Sequence, residues 1–178
     1  MDGPESDADS WREHYLDLFA DGETRGERGK QSCFVTRVEM FERLQDDPSL
    51  NEIINEIHIY TEPLASWGPL TFLAGDHYFA VIETQNWWWS IELRDDMIVI
   101  QRGKDFTNVQ SRCQGRYRRY RLLHNGPSLV CNSSCGQRYV RDLVLAIYNK
   151  GYFSGDLISP SSHSHALVNF IWLFCRSH

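Results

Sequence analysis

The sequence predicts an α+β domain, an antiparallel sheet of about four to six strands with two C-terminal helices packed on it. Three observations carry this expectation. Between Gly75 and Gly103, β-branched and aromatic residues fill three short runs, 77–84, 87–94 and 97–102, punctuated by Gln85-Asn86 and Asp95-Asp96. Further on, Val140, Leu143, Val144 and Ile147 form the apolar stripe of a helix over 136–150 that follows Ser133-Ser134 and stops at Lys150-Gly151. The chain then runs from 163 to 175 with apolar residues on nearly every side, the pattern of a buried helix.

Size and composition agree with one folded unit. The 178 residues are 42% hydrophobic and 13% aromatic, enough for a single substantial core. No apolar run approaches the roughly 18 residues that would span a membrane, and the acidic N-terminus lacks the basic and apolar regions of a signal peptide. Five cysteines, an odd number, argue against a disulfide framework and for reduced thiols. The expectation is a soluble cytoplasmic or nuclear chain. Its net charge of −6 is unevenly placed: residues 1–62 carry a balance of −10, and residues 63–178 one of +4. A mildly basic body with an acidic N-terminal region suits an anionic partner.

Taken in order, residues 1–32 form a flexible acidic region, and residues 33–178 form the domain. Within the first, Trp11, Tyr15, Leu16, Leu18 and Phe19 recur at near-helical spacing behind Ser10, with Glu13 three residues on, and predict a short helix. Residues 33–44 fit either a strand or a helix and end at Asp46-Asp47-Pro48-Ser49. Leu50, Ile53, Ile54 and Ile57 outline a two-turn helical face, and His58-Ile59-Tyr60-Thr61 a short strand. Residues 104–116 are polar and predict a loop, and 117–124 a strand before the Asn125-Gly126-Pro127 turn.

The central hairpin permits a register prediction. A two-residue turn at Gln85-Asn86 pairs Thr84 with Trp87, Ile82 with Trp89, Ala80 with Ile91 and Tyr78 with Leu93 on one face, which is apolar apart from Thr84. The other face carries His77, Phe79, Val81 and Glu83 opposite Arg94, Glu92, Ser90 and Trp88. Glu92 then lies diagonal to His77, within hydrogen-bond reach.

A histidine with a carboxylate partner needs only a nucleophile to become a catalytic group. Cys135, one residue before the 136–150 helix, meets the requirement of a helix N-terminus that stabilises a thiolate. The order of elements resembles the circularly permuted papain-like superfamily, that is, the NlpC-type peptidases and the lecithin retinol acyltransferase-like proteins. His77-Tyr-Phe-Ala-Val-Ile-Glu83 looks like the family's histidine strand, and Val140 to Tyr152 like the helix and tyrosine that precede its Asn-Cys-Gln/Glu-His-Phe box. The box itself falls at Ser162-His163-Ser164-His165-Ala166, where His163 stands at the position of the family's cysteine. The resemblance therefore implies a domain with an altered cysteine box, with His77, Glu92, Cys135 and His163 as the candidate catalytic residues.

Two further constellations offer other chemistry. Cys131-x3-Cys135 has the spacing of a zinc knuckle, and Cys113 with His124 would complete a four-ligand set. From Arg112 to Arg121, five arginines interleave with two tyrosines, a composition suited to phosphate and to unpaired bases. Its binding candidates are Arg116, Tyr117, Arg118, Arg119, Tyr120 and Arg121. A charged edge strand would have the same composition. The leading expectation is a degenerate papain-like domain that binds or regulates a protein partner, without a cofactor unless zinc fills the cysteine set. The alternatives are an active cysteine hydrolase or acyltransferase, and a module for RNA or a phosphorylated ligand.

Overall fold

The computed structural model describes residues 13–18, 32–65, 75–94, 97–120, 126–153 and 160–176. Nine strands are found there: β1 Glu13–Asp17, β2 Ser32–Thr36, β3 Ile54–Pro63, β4 Asp76–Thr84, β5 Trp88–Arg94, β6 Met97–Gly103, β7 Arg112–Cys113, β8 Arg116–Tyr117 and β9 Ser128–Ser134. The helices are α1 Arg37–Gln45, α2 Phe106–Ser111, α3 Val140–Asn149 and α4 Pro160–Arg176. Seven strands form one sheet in the order β2-β1-β6-β5-β4-β3-β9. Only β1 and β6 run parallel; every other neighbouring pair is antiparallel. The fold is α+β, with two C-terminal helices on the sheet and more strands than the sequence predicts.

Alternation along the strands gives the sheet two covered faces. Leu16, Ile57, Ile59, Ala80, Ile82, Trp89, Ile91, Ile98 and Ile100 point to the helix face, where Met40 and Leu44 of α1, Leu143 and Ile147 of α3, and Leu167 and Ile171 of α4 close the main core. The opposite face holds a smaller cluster of Tyr60, Phe79, Val81 and Val109, with Trp88 and Phe106 packed against it. The short α2 covers this side. Observed pairs Ala80 with Ile91, Ile82 with Trp89, Phe79 with Glu92 and Glu83 with Trp88 reproduce the predicted hairpin register.

Elsewhere local pattern and structure part. Residues 13–17 form a strand rather than a helix, because β2 and β6 flank them and saturate their backbone. The Ile98 N–H also donates to His14 Nδ1 at 3.2 Å, which fixes this buried histidine in the sheet. The ambiguous 33–44 stretch is strand first and helix second. The switch falls at Thr36, whose hydroxyl accepts from the Glu39 N–H at 3.3 Å while the Glu39 carboxylate accepts from the Thr36 N–H at 2.8 Å, a capping box.

The expected helical face at 50–57 is a single 3₁₀ turn, Pro48–Asn51, followed by the ten-residue β3, in which β4 and β9 override the local spacing. The loop expected at 104–116 contains α2 and a tight hairpin between β7 and β8, turned by Gln114 and Gly115 at φ of 52° and 74°. The predicted strand at 117–124 shrinks to β8, and residues 121–125 lie outside the described residues. Helix α3 starts at Val140 rather than 136, because β9 continues to Ser134. Helix α4 is buried on one side only: Leu173 is 58% exposed. Of the region 1–32 expected to be flexible, residues 13–17 and Ser32 are strand, and residues 1–12 and 19–31 lie outside the described residues.

Trp89 is fully buried where β5 meets the helices. Replacing it with alanine is expected to cost about 3–5 kcal/mol in urea denaturation. Leu129→Ala, on a half-exposed side chain, should stay within about 0.5 kcal/mol of the parent in the same measurement.

Candidate functional site

Strand β4 begins with Asp76, so His77 points to the α2 face beside the first turn of chain after β8. There it meets Glu92, as the hairpin register requires: His77 Nε2 lies 2.8 Å from Glu92 Oε2. An ionised carboxylate only accepts, so Nε2 is the protonated nitrogen. Glu92 accepts three further bonds, from Arg94 Nε at 2.8 Å and from both terminal nitrogens of Arg118, at 3.0 and 2.6 Å. Glu62, on β3 directly opposite His77, takes Arg94 and the Arg119 N–H, the latter at 3.1 Å. The Arg118 guanidinium also lies 3.7 Å above the Phe79 ring, so its flat face is desolvated by an aromatic partner.

This is a closed ion cluster. The Glu92 and Arg118 side chains are inaccessible to solvent, and Glu62 and His77 nearly so. Burial alone would raise the Glu92 pKa, but the Arg118 charge and the hydrogen bonds from His77 and Arg118 outweigh it and hold the carboxyl at about 2. Cys113 borders the same cluster. Its thiol is pushed up to about 12, first by burial and then by the Glu92 charge.

The cysteine expected to complete a catalytic set is on the other side of the sheet. Cys131 pairs with Ile59 and faces the main core, and Cys135 packs against the same core, whereas His77 and Glu92 face α2. Cys135 is also not at a helix start, since it follows β9 and precedes α3 by five residues. Its free thiol is hydrogen-bonded with that of Cys175, which lowers the Cys135 pKa and, together with burial, raises that of Cys175. Position 163 is in the first turn of α4, which packs on the helix face. The structure thus unites His77 with Glu92 but places Cys135 and the α4 start across the sheet from them.

The zinc set separates in the same way. Cys113 belongs to the α2 face, Cys131 and Cys135 to the helix face, and His124 lies outside the described residues. Among the described residues, metal-ligating atoms gather instead at Glu62, His77 and Glu92 and at Glu56, His58 and Glu83. In the first group both carboxylates are already taken by arginines, which repel a cation and occupy its ligand positions.

Of the arginines and tyrosines, Arg118 is buried in the ion cluster. Arg116, Tyr117, Arg119 and Tyr120 are exposed, with Arg119 bonded to the Leu64 carbonyl and Arg112 stacked on the Tyr117 ring. Arg121 lies outside the described residues. The role of Arg118 carries no local signal, because its partner is 26 positions away.

Several concavities lie away from this cluster among the described residues. A cavity of about 700 Å³ is lined by Leu16, Arg43, Asp47, Trp87 and Arg102. Within it Arg102 bonds Asp47 at 2.5 Å and stacks 4.1 Å from the Trp87 ring. A smaller cleft of about 200 Å³ runs between β9 and α4, lined by Tyr78, Val130, Cys131, His165, Val168 and Trp172. It holds a thiol and an imidazole, yet burial raises the Cys131 pKa and keeps the thiol protonated. Beside it β9 forms the sheet edge: among the described residues no strand pairs with its outer side, and its sequence Ser-Leu-Val-Cys-Asn-Ser-Ser carries no charge. Compared with protein-family models, with curated proteins and with solved structures, the chain matches none of them. No helix among the described residues is long and apolar enough to cross a membrane.

Because the folded pKa of Glu92 lies below its ordinary value of 4.5, its stabilisation is present above that value and is lost as pH falls toward about 2. Glu92→Gln leaves Arg118 buried with only Glu62, 3.9 Å away, as counter-ion. Urea denaturation at neutral pH should show a loss of about 3–5 kcal/mol, and a pH series should show a flatter fall between 4.5 and 2. Thiol alkylation tests the separation of faces. Near neutral pH, iodoacetamide should label Cys135 before Cys113, and His77→Ala should leave the Cys135 rate within about twofold.

Proposed function

We propose that the chain is a non-catalytic protein-binding module, a degenerate form of the papain-like domains it resembles, and that it takes an extended segment of its partner along β9. The observation that carries the reading is the edge itself. Natural sheets guard their edges with charge, proline or a covering element, because unpaired N–H and C=O groups template another strand. Strand β9 has seven residues and no charge, and Leu129 and Val130 are each about half exposed.

Next to this edge is the cleft against α4, where an apolar side chain of an added strand would lie between Val130 and Trp172. Edge strand plus helix-walled groove is the geometry of strand addition, in which main-chain bonds supply affinity and the pocket supplies selectivity. At Val130 the register steps from Ile59-Cys131 to Tyr60-Leu129, a bulge that turns the extra residue toward the cleft. The absence of catalysis in this reading rests on His77, whose proton-bearing nitrogen is held by Glu92 inside a solvent-free cluster.

Selection of displayed peptides on the immobilised full chain is the test. Binders with an apolar anchor are expected. Val130→Lys and Trp172→Ala should each weaken them at least about tenfold, a loss near 1.4 kcal/mol, and binding should slow amide exchange across 128–134. Peptides that bind both variants as well as the parent, or that protect only other strands, would refute the edge as the binding surface.

A further inference from the structure

On the α2 face, at the end of β3 remote from the ion cluster, Glu56 and Glu83 sit directly opposite each other across β3 and β4. Like charges in a directly paired position destabilise a sheet unless a cation lies between them. Among the described residues neither glutamate forms an ion pair with lysine or arginine. The third member of the group is His58, two residues along β3 from Glu56, with its Nε2 3.4 Å from Glu56 Oε2. That nitrogen is closed off from solvent and makes no hydrogen bond. A ring nitrogen shut off from water with no hydrogen bond is costly, and an ion bound between it and the carboxylates would satisfy it. Ligand atoms of all three side chains lie within 4.8 Å of one another. The ring itself is held by Trp88 and Phe106, at centroid distances of 6.0 and 6.3 Å, so the imidazole is already oriented.

We propose that Glu56, His58 and Glu83 form a divalent-metal site. One imidazole and two carboxylates suit a first-row transition ion of the zinc or cobalt type rather than magnesium or calcium, which prefer an all-oxygen shell. Three protein ligands leave at least one coordination position for water or for a donor atom of a bound partner. The pairing of the neighbouring group with Arg94 and Arg118 supplies the contrast: the same residue types, one set neutralised by arginine and the other not.

Cobalt(II) is the probe of choice, because its visible absorption distinguishes nitrogen and oxygen ligands from thiolates. Added to the metal-stripped full chain, one equivalent should give ligand-field bands without a thiolate-to-cobalt charge-transfer band, and should quench the emission of Trp88. His58→Ala and Glu83→Gln should each weaken binding at least about tenfold, while Cys135→Ser should leave it unchanged. Folding of the glutamate variant is checked independently: with the carboxylate repulsion removed, its metal-free thermal midpoint should equal or exceed that of the parent, and it should no longer rise with cobalt. Failure to bind cobalt at millimolar concentration, a thiolate band abolished by Cys135→Ser, or unchanged affinity in a folded Glu83→Gln variant would each overturn the site.

Discussion

The contact on which the α2 face depends is the fork between Arg118 and Glu92. Removing two charges from water is expensive, and the attraction between them offsets that cost only when both ends of the fork are used and the remaining lone pairs are filled. Here both terminal nitrogens of Arg118 bond Glu92, while His77 and Arg94 occupy the rest of the carboxylate. The consequence reaches beyond the pair. Arg118 anchors the segment after β8 to the middle of the sheet, its N–H donates to the Ser111 carbonyl at 2.8 Å, and the next N–H is taken by Glu62. A stretch with little regular structure is thereby fixed over a face that α2, only six residues long, could not cover alone.

Strand register explains why two groups of the same composition on one face differ in chemistry. Glu62 stands opposite His77, and Glu56 opposite Glu83, so β3 and β4, joined in the first case by Glu92 of β5, place a histidine and two carboxylates at each of two positions. Six residues of β3 separate them, roughly 20 Å at the rise of an extended strand. At that distance Arg94 and Arg118 can neutralise only the first group. Two glutamates meet two arginines there, whereas among the described residues no lysine or arginine forms an ion pair with the second group.

How much of this was legible in the sequence follows from the range of the interactions. The 77–94 hairpin carries its own turn and a strict alternation, so its register, its facing and the approach of Glu92 to His77 could be derived from spacing alone. The facing of Trp88 and Trp89 followed from the same alternation. Arg118 could not be placed in this way: five nearby arginines look like a solvated cationic strip, and only the fold selects one for burial. Strand β1 was misread because Trp11, Tyr15 and Leu18 fit a helical period, while the neighbours that make residues 13–17 a strand come from β2 and β6. Strand β9 has few β-branched residues and no alternation of charge, so nothing local marked it; it is held by β3 along one side. Cys135 was assigned to a helix start for the same reason, since an unseen β9 lets α3 extend backwards.

The two faces also set what a change of residue could accomplish. In a strand of period two, moving His77 to the side of Cys135 and α4 requires a one-residue slip of β4, which would turn Ala80 and Ile82 out of the main core and drive Phe79 and Val81 into it. Each exchange would meet a packed partner on the wrong side. The separation of His77 from Cys135 is therefore built into the alternation that forms the core. At the centre of the sheet one face is filled by the main core and the other by the ion cluster. The uncharged outer side of β9 and the carboxylates of Glu56 and Glu83 can, by contrast, be reached without disturbing the core.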